Sequence, residues 1–187
     1  MPDNRPDPEL TGSVKQGNRN AFGDLVSRYQ KPVYYFALGI TANHHSAEEI
    51  SHETWIKFWK SIGSGAFDQT QPVYPYLRTI CLNLARDYLN DEKHRRQLTK
   101  NMVEMGGNFD CNGGSHNDKI INAETGEKIT RAIESLEPQQ RLVMTLKVIE
   151  GCSYQEISEQ LNCPVGTVMS RLFRARMELR GKIKSEQ

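Results

Sequence analysis

Nowhere in the 187-residue chain is there an apolar run long enough to cross a bilayer. The opening residues, MPDNRPDPEL, contain no hydrophobic stretch of the kind a secretory signal requires, so a cytoplasmic location is expected. Cysteine is scarce. Its four copies (Cys81, Cys111, Cys152, Cys163) never fall in C-x-x-C spacing, which argues against a zinc site or a disulfide framework and for idle thiols. Sustained alternation of apolar and polar residues is missing too, so no β-sheet is expected. There is no internal repeat. The formal net charge is only +1, which by itself gives no hint of a polyanionic partner.

What is present is helical periodicity. LTGSVKQG and NAFGDLVSRYQ read as two short helices, the second opened by Asn20, and Pro32 starts another, VYYFALGITAN. In SAEEISHETWIKFWKSI, the residues Trp55, Phe58, Trp59 and Ile62 recur at helical spacing. This predicts an amphipathic helix with both tryptophans on its buried side and a Ser46–Glu49 capping box at its start. A loop rich in Gly, Pro and aromatics, GSGAFDQTQPVYP, leads to PYLRTICLNLARDYLNDEKHRR. There Leu77, Ile80, Cys81, Leu84, Ala85 and Tyr88 form an apolar stripe, opposite Arg78, Asn83, Arg86, Asp87 and Asn90.

From Gln97 to Asn122 the chain turns glycine-rich and loses its period, as a flexible linker would. Helical pattern returns in AETGEKITRAIESL. Pro138 suits the first turn of the helix PQQRLVMTLKVIEG, which Gly151 ends. Ser153 and Glu156 make a second capping box and open SYQEISEQL. The expected fold class is therefore all-α: two small helical domains joined by a flexible linker. Residues 1–19 are an N-terminal extension with a first helix, 20–96 the first domain, 97–122 the linker and 123–187 the second domain.

The last helix lies within NCPVGTVMSRLFRARMELR. Val165, Val168, Leu172, Ala175 and Leu179 form its docking stripe, and Phe173 is off it, among Met169, Ser170, Arg174 and Met177. From Pro164 to Lys182 five basic residues (Arg171, Arg174, Arg176, Arg180, Lys182) face one acid, Glu178. Two short helices joined by a tight turn, the second one basic, form a helix-turn-helix, whose second helix enters the major groove. In that layout Arg174 donates two bonds to guanine O6 and N7, Phe173 lies against a thymine methyl, and Ser170 bonds to either base type. Thr167, Arg171 and Arg176 hold phosphates. One exposed arginine or phenylalanine signals little; the capped helix, tight turn and basic second helix together carry the DNA reading.

The run LEPQQRLVMTLKVIEGCSYQEISEQLNCPVGTVMSRLFRARMELR resembles the C-terminal DNA-binding domain of extracytoplasmic-function (ECF) sigma factors, the promoter-specificity subunits of bacterial RNA polymerase. AFGDLVSRYQKPVYYFAL, SAEEISHETWIKFWK and YLRTICLNLARDYL resemble the opening, polymerase-binding and promoter-melting helices of sigma region 2. The resemblance implies a non-catalytic subunit, without cofactor, whose partners are core RNA polymerase and promoter DNA; it also allows an anti-sigma protein. It implies that residues 20–96 are region 2 and that the second domain is region 4, which reads the −35 element. The core-binding surface then falls on Glu49, His52 and Glu53, with His52 where the family commonly has glutamine.

The −10 element falls to Phe67, Asp68, Gln69, Tyr74 and Tyr76, with Asn83 on the following helix and Arg78 and Arg86 at phosphates. Met169 stands where Lys or Arg is frequent in the family, and Ser158 where alanine is usual. Two other readings are weaker. A stand-alone helix-turn-helix regulator leaves the first domain unused. An enzyme with a DNA-binding tail needs an active site there, and His44, His45 and His52 with Glu48, Glu49 and Glu53 lack the H-E-x-x-H spacing of a metal site.

Overall fold

The computed structural model describes residues 5–104, 133 and 135–185. No strand occurs among them, and the helices divide into two compact units, one built on α1 to α4 except the end of α2 from Gly39, and one on that end with α5 to α7. The fold is all-α with two helical domains.

The first unit comprises α1 (Asp7–Lys15), α2 (Arg19–Thr41), α3 (His44–Ser64) and α4 (Val73–Glu104). Helix α3 packs against α4 and α1 around Leu10, Leu25, Phe36, Phe58, Ile62, Leu77 and Cys81, all of them buried. The two helices expected on either side of Pro32 are one, with the proline inside it. Interior proline costs about 3 kcal/mol through its missing N–H and its ring. The stripe Ala21, Leu25, Val33, Phe36 and Ala37 is buried on both sides of it, at about 1.5–3 kcal/mol for each large side chain, so packing outweighs the break. The cap of α2 is Asn18 rather than Asn20: its Oδ1 accepts from the N–H groups of Asn20 (3.0 Å) and Ala21 (3.3 Å).

A similar shift occurs at α3. Asn43 caps it, accepting from the Ser46 N–H at 2.9 Å, because an Asn side chain caps as well as Ser and comes first in the chain. Ser46 lies inside the helix and donates to the Tyr88 hydroxyl at 2.9 Å. Gly65, at φ 75°, ends α3 in the left-handed region that a residue without a Cβ adopts most easily. Trp55, Phe58 and Ile62 are buried as expected, but Trp59 is exposed, set edge-on against Phe22 at 4.8 Å. On α4 the buried stripe is rotated to Leu77, Cys81, Leu82, Ala85 and Leu89.

Helix α4 does not stop at Arg96 but runs to Glu104, into the expected linker. QLTKNMVE holds neither Gly nor Pro, and the first glycine pair is Gly106–Gly107. The remainder of the expected linker, with Cys111, and most of AETGEKITRAIESL lie outside the described residues.

In the second unit, α5 (Pro138–Met144) widens into a π-helical turn over Thr145–Ile149, followed by α6 (Tyr154–Leu161) and α7 (Val165–Ser185). The wide turn shows in the Glu150 N–H bonding to the Thr145 carbonyl at 3.2 Å, five residues back. Gly151 follows at φ 70°. Helix α7 packs on α5 and α6 through buried Leu146, Ile157, Leu161, Val168, Leu172 and Ala175.

Candidate nucleic-acid interface

The turn between α6 and α7 is tightly specified. Ser153 and Glu156 satisfy each other's end of α6: the Ser153 Oγ accepts from the Glu156 N–H at 3.2 Å, and the Ser153 N–H donates to Glu156 Oε2 at 2.7 Å. Asn162, at φ 48°, ends the helix in the left-handed region that Asn tolerates better than most residues. The Ser158 hydroxyl then donates to the Cys163 carbonyl at 2.6 Å. The Ser158 side chain thus ties the turn to the helix before it. The Pro164 carbonyl receives the first α7 N–H groups, from Thr167 (2.9 Å) and Val168 (3.3 Å).

This scaffold fixes which side of α7 faces water. Val168, Leu172 and Ala175 are buried, while Val165 and Leu179 at the ends of the expected stripe are half-buried. Phe173 is 66% exposed, and Met169 and Met177, one turn before and after it, are 51% and 52% exposed. Ser170, Arg174 and Arg176 are exposed, and Thr167 and Arg171 half-exposed. All six expected −35 residues are therefore reachable on one helix. The Ser170 hydroxyl donates to the Thr167 carbonyl at 3.0 Å, so it must rotate before it donates to a base.

The expected −10 residues are less uniform. Phe67 is only 4% exposed, edge-on to Phe58 (5.2 Å) and Tyr76 (4.8 Å). It does not stand available at the surface as expected: it plugs the loop into the core. Tyr76 is half-buried in that cluster, 6.0 Å from Phe58. Tyr74 stacks on Tyr29, with centroids 6.0 Å apart and planes at 21°. Asp68 is exposed, and its Oδ1 accepts from the Thr70 N–H (2.9 Å) and hydroxyl (2.8 Å), which hold its carboxyl below the usual range. Gln69, Arg78 and Arg86 are half-exposed and Asn83 is exposed. On α3, Glu49 and His52 are exposed and Glu53 half-exposed on one face, and His45 Nε2 lies 3.4 Å from Glu49 Oε1.

Two groupings carry no sequence signal. The Lys147 ammonium sits 5.0 Å above the Tyr154 ring and also donates to the Cys152 carbonyl at 2.9 Å. Asp7, Arg28 and Tyr29 form a hydrogen-bonded cluster between α1 and α2. No local spacing joins residues so far apart in the chain; only the helix packing does. Among the described residues no three His, Cys, Asp or Glu side chains are grouped to hold a metal ion, and no helix is long and apolar enough to cross a membrane.

Residues 25–95 match the family model Sigma-70 region 2, and residues 126–179 match Sigma-70, region 4. Both matches point to one class, the sigma-70-type transcription initiation factors. The chain is 33% identical to the ECF RNA polymerase sigma-E factor of Haemophilus influenzae, over 95% of each chain. It is 31% identical to the ECF RNA polymerase sigma factor SigW of Bacillus subtilis, over 91% of this chain and 93% of that one. The chain belongs to the ECF sigma factors of RNA polymerase. Its fold is like that of the sigma factor RpoE from Bartonella quintana, solved with the anti-sigma factor NepR, with a TM-score of 0.59 and 22% identity over 89% of this chain and 98% of that one. It is also like CnrH, solved with the cytosolic domain of CnrY, with a TM-score of 0.57 and 20% identity over 97% and 99%.

Proposed function

We propose that this sigma factor brings core RNA polymerase to its promoters from the cytoplasm, reading the −35 element with α7 and opening the −10 element with the first helical unit, and that it performs no catalysis itself. Glu49, His52 and Glu53 bind core polymerase. Arg174, Phe173 and Ser170 contact −35 base edges, while Thr167, Arg171 and Arg176 hold phosphates. Tyr74, Tyr76, Asp68, Gln69 and Asn83 receive the melted −10 strand, with Arg78 and Arg86 at its backbone. Met169 packs against a thymine methyl instead of pairing with a phosphate, which shifts −35 preference at the base it faces. An anti-sigma protein is a fitting further partner.

One observation carries the reading: Phe173 is left 66% exposed, beside exposed Arg174, on the second helix of a capped helix-turn-helix. Each module alone binds DNA weakly, and joining both to one polymerase raises the effective concentration of the second contact. The test is run-off transcription with core polymerase, followed by start-site mapping. Promoter-selective initiation is expected. It should vanish when Phe173 and Arg174 are both alanine, and selective initiation by that double variant would sink the −35 assignment. Met169→Arg should change promoter choice across a −35 library, and an unchanged ranking would remove that residue from the reading.

A further inference from the structure

Helix α1 carries none of the DNA-contacting or polymerase-binding residues. Its first residue nevertheless anchors a dense polar cluster. The half-buried Asp7 carboxylate accepts from the Tyr29 hydroxyl at 2.5 Å and pairs with the Arg28 guanidinium. Arg28 Nη2 donates to the Arg5 carbonyl at 2.8 Å, and Arg5 in turn reaches Asp24 Oδ2 at 3.4 Å. These bonds clasp the start of α1 to α2. Charge-assisted bonds of this kind are short and directional, so they fix orientation as well as proximity. Burial first, then the bond to Asp7 and its charge, push the Tyr29 phenol up to about 12, against the opposing pull of Arg28. The hydroxyl therefore stays a donor throughout the neutral range.

The consequence passes to α4. The Tyr29 ring stacks on Tyr74, which stands at the start of α4 where the loop over residues 65–72 ends. Farther along α1, Gly12 faces the same loop: a Cβ there would lie 3.9 Å from Gln69 Oε1. Helix α1 thus lies beside Gln69 directly and reaches Tyr74 through Tyr29 of α2. An aromatic ring held at a fixed tilt before a base arrives loses less rotational freedom on stacking.

We propose that Asp7 is a positioning residue for promoter opening: through the Tyr29 hydroxyl it fixes the plane of the Tyr29–Tyr74 stack and so presents Tyr74 to an unpaired −10 base. The proposal rests on the reading of Tyr74 as a −10 contact. Arg28 orients the other carboxylate oxygen, and α1 is a working part of the melting apparatus.

The test uses the full chain assembled with core polymerase and two probes from a promoter mapped by run-off transcription: its single-stranded −10 non-template oligonucleotide and its −35 duplex. Asp7→Ala should weaken oligonucleotide binding about tenfold and Tyr29→Phe, which keeps the ring, about threefold, with −35 duplex binding unchanged in both. Asp7→Ala with Tyr74→Ala should bind no more weakly than Tyr74→Ala alone, since one acts through the other. Fully multiplying effects, or parental binding by Tyr29→Phe together with a parental response from a folded Asp7→Ala, would overturn the proposal. If Asp7→Ala does not fold, Tyr29→Phe decides alone. Parental binding by Tyr74→Ala is a separate result: it removes Tyr74 from the −10 site, and the proposal falls with it.

Discussion

Two phenylalanines divide the molecule's chemistry between them. Phe67, in the first unit, is 4% exposed and wedged among Phe58 and Tyr76. Phe173, in the second, is 66% exposed on α7. The first unit packs Phe36, Trp55, Phe58 and Phe67 inside, though Tyr35 and Trp59 reach its surface. The second keeps an aliphatic core and leaves Phe173 outside it. The contrast teaches that residue type does not decide which aromatic is left at the surface; the packing of the surrounding element does. Four helices with large side chains can absorb a loop phenylalanine, whereas α7 turns Val168, Leu172 and Ala175 inward and Phe173 falls off that stripe.

The sharpest way to break this contrast is to truncate each ring. Phe67→Ala should cost the first unit about 3–5 kcal/mol, read as a lowered urea midpoint, because it empties a packed site. Phe173→Ala should move that midpoint by less than about 0.5 kcal/mol. Equal losses from the two would show that Phe173 supports the fold. Next in size, Arg174→Ala should reduce discrimination between cognate and mismatched −35 DNA by about 1–3 kcal/mol without changing the thermal midpoint, measured by competition binding of the holoenzyme.

Smaller is the effect of the cap that sets the helix-turn-helix. Ser153→Ala should destabilise the second unit by about 1 kcal/mol, visible as loss of helical circular dichroism at lower temperature. The smallest effect lies at alkaline pH. The Tyr29 pKa is raised from 10.0 to about 12, so the fold favours the protonated phenol. Its contribution is complete below pH 10 and is lost as pH rises through 12. A parent–Tyr29→Phe pair of urea midpoints should converge across that window, and a constant gap would separate the Asp7 bond from stability.

Much of the second unit was legible because its signals are local. The Ser153–Glu156 box, Gly151 and the basic helix after Pro164 lie within a few residues of what they control. Exposure of Phe173 followed from helical spacing alone. The first unit was harder for the same physical reason. A proline normally marks a helix start, yet Pro32 sits within α2 because side chains from elsewhere in the chain bury the stripe on both sides. Phe67 looked available because its loop is rich in Gly and Pro, and its burial depends on Phe58 and Tyr76. Asp7 and Tyr29 are joined by tertiary packing that no short window of sequence contains.

The length of α4 has a mechanical consequence. Leu89 is its last buried side chain among the described residues, and from Asn90 to Arg95 none is buried. The helix continues without Gly or Pro to Glu104. The amides from Asn90 to Arg95 should exchange with deuterium sooner than those around Leu77 and Cys81, because no buried side chain holds that stretch to the bundle.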